Sequence, residues 1–167
     1  RDASIYEMTP QLVVFPKDSE DIQTLVEFVN KHRRDIPHLS LTPRAAGTCM
    51  SGGPLSNSIV VSVTEHMNKL IKIDRKNLTV IVQPGMFYRN FEKKLNKYDL
   101  LLPPYTSSKR LCTVGGMVGN NAGGEKSLGY GKTEKYVKEL KVVLHDGKEY
   151  RIKKLTRFEL EKRIFAH

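Results

Sequence analysis

The chain has 167 residues, 39% hydrophobic and 28% charged, with a formal net charge of +10. That is enough apolar sequence for the core of a soluble domain, and no stretch approaches the ~20 apolar residues of a membrane span. The basic residues are dispersed (Lys93, Lys94 and Lys97; Lys132, Lys135, Lys138 and Lys141; Lys153 and Lys154) with no run of like charge and no nucleic-acid-binding motif. They read as solvated faces, and a nucleic-acid partner is not expected.

Residues 11–15 are a short apolar run closed by Pro16, which predicts a strand. Asp18, Ser19, Glu20 and Asp21 then offer an N-cap and early-turn acids. Ile22, Leu25, Val26 and Val29 follow at helical spacing, so a helix is expected up to Arg33 and Arg34. Residues 39–42 predict a second strand that delivers the chain into a loop of small residues. Residues 58–63 are β-branched and strand-like. Residues 69–74 and 78–83 alternate in polarity and predict a hairpin turned by Arg75, Lys76 and Asn77. Pro84-Gly85 stops it. Phe87, Phe91 and Leu95 share one helical face, with Arg89, Lys93 and Lys97 toward solvent. Pro103-Pro104 interrupts the chain, a short helix is expected over residues 114–121, and a loop over 128–131. Residues 140–144 and 150–153 flank Asp146-Gly147 as another hairpin, and residues 156–167 predict an amphipathic helix carrying Phe158, Ile164 and Phe165. The class is α+β, because the hairpins argue against a purely parallel sheet.

Two stretches carry the chemistry. Pro43-Arg44-Ala45-Ala46-Gly47-Thr48-Cys49-Met50-Ser51-Gly52-Gly53 combines small residues, a hydroxyl, a cation and paired glycines. Backbone amides freed from secondary structure and unobstructed by side chains form a concavity that suits phosphate. Cys112-Thr113-Val114-Gly115-Gly116-Met117-Val118-Gly119-Asn120-Asn121-Ala122-Gly123-Gly124 has the same character. Together they point to a ligand carrying two phosphates.

Neither stretch fits G-x-G-x-x-G or G-x-x-x-x-G-K-[ST], so a standard nucleotide fold is not expected. His32, His38, His66, His145 and His167 are scattered without metal-ligand spacing, and no Ser-His-acid arrangement can be argued. Cys49 and Cys112, the two cysteines, both fall in these stretches. They read as small residues lining a pocket, with a redox pair as the competing reading. Phosphate-binding equipment without an evident acid, base or nucleophile fits a module whose chemistry resides in a cofactor.

At these loops the sequence resembles the PCMH-type flavin-binding domain of the vanillyl-alcohol oxidase superfamily, the FAD-linked oxidases. The match is carried by Pro43-Arg44-Ala45-Ala46-Gly47-Thr48 with Ser51-Gly52-Gly53, by Val82-Gln83-Pro84-Gly85, by Thr113-Val114-Gly115-Gly116, by Asn121-Ala122-Gly123-Gly124, and by Tyr130-Gly131-Lys132-Thr133. Within the superfamily it is most similar to the D-lactate, glycolate and D-2-hydroxyglutarate dehydrogenase branch. The opening Asp2-Ala3-Ser4-Ile5-Tyr6 also resembles forms fused to iron–sulfur domains.

The resemblance implies two small α/β lobes with mixed sheets clasping FAD, over residues 10–64 and 65–154, followed by a terminal helix at 155–167. It implies that the amides of Arg44, Ala45, Ala46, Gly47, Thr48 and Cys49, after Pro43, wrap the FAD pyrophosphate, with Ser51 and Gly52 continuing that wall. Ser107, Ser108, Thr113, Val114, Gly115 and Gly116 would approach the ribityl chain and flavin ring, with Gly119, Asn120, Asn121 and Ala122 nearby. Relatives that hold flavin covalently often carry histidine where this chain has Thr48, so noncovalent FAD is expected. Ala45 and Ala46 replace glycines common in the family, which is tolerable where φ stays negative.

The resemblance also implies oxidation of a D-2-hydroxy acid, with the substrate-binding cap outside these residues. No catalytic residue is therefore assigned, and the fragment alone is expected to be inactive. An iron–sulfur domain or subunit is an expected partner, and the expected location is cytoplasmic, with peripheral membrane association as the competing reading. A UDP-N-acetylenolpyruvoylglucosamine reductase-like flavoprotein is the competing enzyme reading. A nonenzymatic anion- or nucleic-acid-binding module is the competing reading from another class.

Overall fold

The computed structural model describes residues 1–164. The first part of the chain builds a parallel sheet of three short strands, β1 (Leu12–Val14), β2 (Leu41–Arg44) and β3 (Ile59–Ser62), in the order β1-β3-β2. The central strand β3 is the β-branched run, and all four of its residues are buried. Between β1 and β2 the chain makes α1 (Ser19–His32). Asp18 caps it as expected, its side chain accepting the amides of Glu20 and Asp21. Val29 of α1 packs on Ile59 and Val61, with Val14, Leu25, Leu39 and Leu41 around them.

β2 lies two residues further along than the apolar run at 39–42 predicts, and it includes Pro43. A proline lacks the N–H of a ladder, yet an edge strand has one side with no ladder to complete. β2 is such an edge, pairing with β3 from Leu41↔Ile59 to Arg44↔Ser62.

Two antiparallel hairpins follow, β4 (Leu70–Asp74) with β5 (Thr79–Val82), and β6 (Glu139–Val143) with β7 (Glu149–Lys153). Each of the three sheets among the described residues is thus wholly parallel or wholly antiparallel, and the mixture of α and β lies in the chain order. Between the hairpins run α2 (Tyr88–Asn96), α3 (Val114–Gly119) and α4 (Ser127–Tyr130). Their core holds Met86, Tyr88, Phe91, Leu95, Tyr105, Cys112, Val114 and Met117. Burying a ring such as Phe91, 1% exposed, is worth about 1.5–3 kcal/mol. The Tyr88 hydroxyl donates to the Leu102 carbonyl at 2.8 Å, and burial pushes its phenol well above the usual tyrosine value.

Phe87 was expected on the buried helical face; Tyr88 takes that place. Phe87 is the extended N-cap residue of α2 and bridges to Thr113, so its ring leaves the helix axis. Residues 128–131, expected as a loop, form a helical turn instead. The Ser127 hydroxyl accepts the Gly124 amide at 2.9 Å and opens that turn, and Gly131 ends it at φ +86°. A 3₁₀ turn, Thr133–Tyr136, comes next. The last helix, α5 (Arg157–Ile164), leaves Phe158 and Ile164 exposed. The rest of the expected terminal helix, Phe165 to His167, lies outside the described residues.

Candidate functional site

The parallel strands set the place of the site. At the carboxyl ends of β2 and β3 the chain leaves the sheet, and ligands of open α/β sheets bind outside such ends. Arg44 at the end of β2, and Ser62 with Thr64 at and beyond the end of β3, line a cleft of about 510 Å³. Ala45, Ala46, Gly47 and Thr48 continue its wall, and Phe87 and Leu111 close it from the α2 side.

The first loop has the backbone a phosphate cradle needs. Gly47 and Gly52 take φ +69° and +76°, where a side chain is strained. A Cβ on Gly47 would lie 2.3 Å from the Arg44 guanidinium, so a side chain there would also have to push that mobile group aside. Among the described residues, the amides of Ala46, Gly47, Thr48, Cys49 and Met50 donate no hydrogen bond within the protein. Ala45 and Ala46 are not among the residues with positive φ, so their methyl groups cost no backbone strain.

The second stretch meets the first through small atoms. A Cβ on Gly116 would come 3.3 Å from the Ala45 methyl and 3.4 Å from the Thr113 hydroxyl. Asn120 reaches Cys49 and helps lower its thiol pKa. The larger cause is the Ser51 hydroxyl, 3.0 Å from the sulfur, followed by the amides of Ser51 and Gly53. Both cysteines are free, and burial pushes the Cys112 thiol up in the core of α2 and α3.

Much of the second stretch is spent on packing. Thr113, 1% exposed, caps α3 by accepting the Gly116 amide. Val114 is buried in the core, and a Cβ on Gly115 would strike Pro84 at 2.6 Å. Gly124 lies against the Tyr105 carbonyl, and Asn121, at φ +44°, holds Glu134 through its side-chain oxygen and nitrogen. Ala122 passes its carbonyl to the Thr133 hydroxyl at 2.7 Å. Gly119 stands in open space.

Ser107 and Ser108 belong to the turn that leads to Leu111 and do not line the cleft. Ser108 pairs its hydroxyl with Thr106 at 2.9 Å. The structure adds Ser62, Thr64, Phe87, Leu111 and the opening residues Arg1, Asp2 and Ala3 to the wall. Only the position of Ser62 and Thr64 at the end of the β-branched run could have signalled them from the sequence.

A family described as FAD binding domain matches residues 10–153. The chain is 35% identical to glycolate oxidase subunit GlcD of Bacillus subtilis over 144 residues, which is 85% of this chain and 29% of that protein. It is 36% identical to D-2-hydroxyglutarate dehydrogenase of Pseudomonas putida, covering 87% of this chain and 14% of the relative. D-lactate dehydrogenase of Archaeoglobus fulgidus is 34% identical over 88% of this chain and 34% of its own length. The chain thus spans about a third or less of the length of these relatives. A solved structure of alkyldihydroxyacetonephosphate synthase superposes with a TM-score of 0.73 at 22% identity, covering 89% of this chain and 28% of that one, and shares its fold. A cleft at the ends of parallel strands, walled by free amides and small residues, suits the ligand that the matching family is described by: the chain belongs to the FAD binding domain family, and its cofactor is FAD.

Proposed function

We propose that this chain is the FAD-holding part of a flavin-dependent dehydrogenase or oxidase acting on a D-2-hydroxy acid of the lactate, glycolate or 2-hydroxyglutarate class. The observation that carries the reading is the first loop, whose free amides line the cleft at the ends of β2 and β3. The names of the relatives support the substrate class.

In this reading the amides of residues 44–49 hold the pyrophosphate, with Ser51 and Gly52 continuing the wall. Amide donors meet phosphate without burying a second full charge, and small side chains let the backbone approach. Thr113, Val114, Gly115 and Gly116, with residues 119–122, shape the neighbouring wall where Gly116 meets Ala45. Ser107 and Ser108 reach the cofactor only through the turn that carries Leu111. Thr48, in the place of a tethering histidine, leaves the cofactor noncovalent. Bound FAD supplies the acceptor for the hydride that leaves the carbon bearing the substrate hydroxyl.

Substrate binding and removal of the hydroxyl proton are assigned outside these residues, and the division into lobes at residue 64 belongs to the same reading. An iron–sulfur domain or subunit as the electron partner rests on the opening residues 2–6 alone. The cytoplasmic location stays part of the proposal; among the described residues no helix is long and apolar enough to cross a membrane.

The test uses the full-length protein. It is expected to be yellow, to release its flavin on denaturation, and to lose flavin absorbance anaerobically with D-lactate, glycolate or D-2-hydroxyglutarate. Bleaching by NADPH and by none of these acids would support the reductase reading instead.

A further inference from the structure

The opening residues 1–7 pack against both ends of the first loop. At the near end, the Arg44 guanidinium donates to the Arg1 carbonyl at 2.7 Å, and the Ala3 amide donates to the Gly47 carbonyl at 3.0 Å. At the far end, the Tyr6 ring covers Gly52, where a Cβ would approach its Cδ2 to 3.1 Å. Between these attachments lie Thr48, Cys49 and Met50, whose amides have no acceptor within the protein among the described residues.

The segment is ordered by its own side chains. Asp2 Oδ1 accepts the Ser4 amide at 2.8 Å and the Ser4 hydroxyl, and that hydroxyl accepts the Tyr6 amide at 3.1 Å. These are consecutive side-chain turns of the kind aspartate and serine favour. Arg1 and Glu7 close the segment with two parallel hydrogen bonds of 2.9 and 2.8 Å. Asp2 Oδ2 is buried without a hydrogen bond, and the charge of nearby Arg44 acts on the carboxylate. None of this is needed to build the sheet or either hydrophobic core.

A glycine-containing loop binds a ligand well only when it is already held in the bound shape, because ordering it on binding subtracts from affinity. We propose that residues 1–7 are a clasp that fixes the first loop in its FAD-competent shape, with Asp2 as the positioning residue. The proposal rests on the FAD reading of the loop. The clasp acts on the cofactor through Arg44, Gly47 and Gly52, from the side of the cleft that Arg1, Asp2 and Ala3 line.

The test compares FAD dissociation constants of the full-length apoprotein, read by quenching of flavin fluorescence, for the parent, Asp2→Ala, Asp2→Asn and Tyr6→Ala. Asp2→Ala loses both Ser4 hydrogen bonds and is expected to weaken FAD about tenfold. Asp2→Asn keeps an acceptor oxygen, so it is expected to stay within about threefold of the parent. Tyr6 is 58% exposed, so Tyr6→Ala spares the core, and its affinity is expected to fall about threefold. Parent-like affinity in both alanine variants overturns the clasp, and so does equal loss in Asp2→Ala and Asp2→Asn. Should Asp2→Ala fail to fold, Tyr6→Ala decides: weaker binding supports the clasp and unchanged binding overturns it. A parent that takes up no FAD at all overturns the cofactor reading itself, a result distinct from the others.

Discussion

The two glycine-rich stretches look alike in sequence and are used differently. The first, residues 43–53, spends its glycines on conformation: Gly47 and Gly52 sit at positive φ, and the amides of Thr48, Cys49 and Met50 between them donate to nothing in the protein among the described residues. The second, residues 112–124, spends its glycines on proximity: Gly115 lets Pro84 approach, Gly116 admits the Ala45 methyl, and Gly124 meets the Tyr105 carbonyl. A glycine that needs φ > 0 marks a loop whose backbone is free to face a ligand. A glycine that needs the missing Cβ marks two chain segments pressed together. Composition does not separate the two uses.

The sharpest way to break this contrast is to add methyl groups. In Gly124→Ala the new Cβ would lie 2.0 Å from the Tyr105 carbonyl oxygen, a backbone atom that cannot step aside cheaply. Urea unfolding is expected to show a loss of about 3 kcal/mol or more, or no folded protein at all. Gly47→Ala is expected to cost less stability, about 1–2 kcal/mol for the left-handed backbone, because the clashing atom is the mobile end of Arg44. Its larger effect is expected on FAD affinity, with a dissociation constant raised about tenfold. If Gly47→Ala unfolds the protein and Gly124→Ala spares it, the two uses have been assigned the wrong way round.

The cysteines sharpen the same comparison. Hydrogen bonds from Ser51 first, then from nearby amides, hold the Cys49 thiol below its ordinary value, and burial holds Cys112 above its own. The thiolate is the reactive form. Alkylation of Cys49 should therefore turn on at a pH below the usual thiol value of ~8.5, and that of Cys112 above it. Mass spectrometry at pH 7.5 is expected to find Cys49 modified at least tenfold faster, and FAD should slow that labelling. Equal rates would mean that the first loop is as closed as the second. The smallest expected effect is at Gly119, the last residue of α3, where a Cβ would meet nothing within 4 Å. Gly119→Ala is expected to keep the fold and to gain up to about 1 kcal/mol of stability in urea unfolding.

The helix from Asp18, the buried strand β3 and both hairpins were legible because capping, β-branching and turn residues act locally. So was the first loop, where glycine beside small residues interrupts strand-like sequence. Phe87 was not legible: its spacing fits the helical stripe, and only the long-range bridge to Thr113 takes it out. The packing role of Gly115 and Gly124 was equally hidden, because it depends on Pro84 and Tyr105 approaching from elsewhere in the chain. Nor does the sequence show that residues 1–7 return to the loop, since those contacts span some forty positions and use ordinary polar residues.

The most direct measurement is amide hydrogen exchange of the two stretches in the full-length protein, with and without FAD. The expectation is that FAD slows exchange at residues 46–50 by an order of magnitude or more, with much smaller changes at residues 114–117, which the helix and its packing already protect. Unchanged exchange at residues 46–50 in protein saturated with FAD would contradict it.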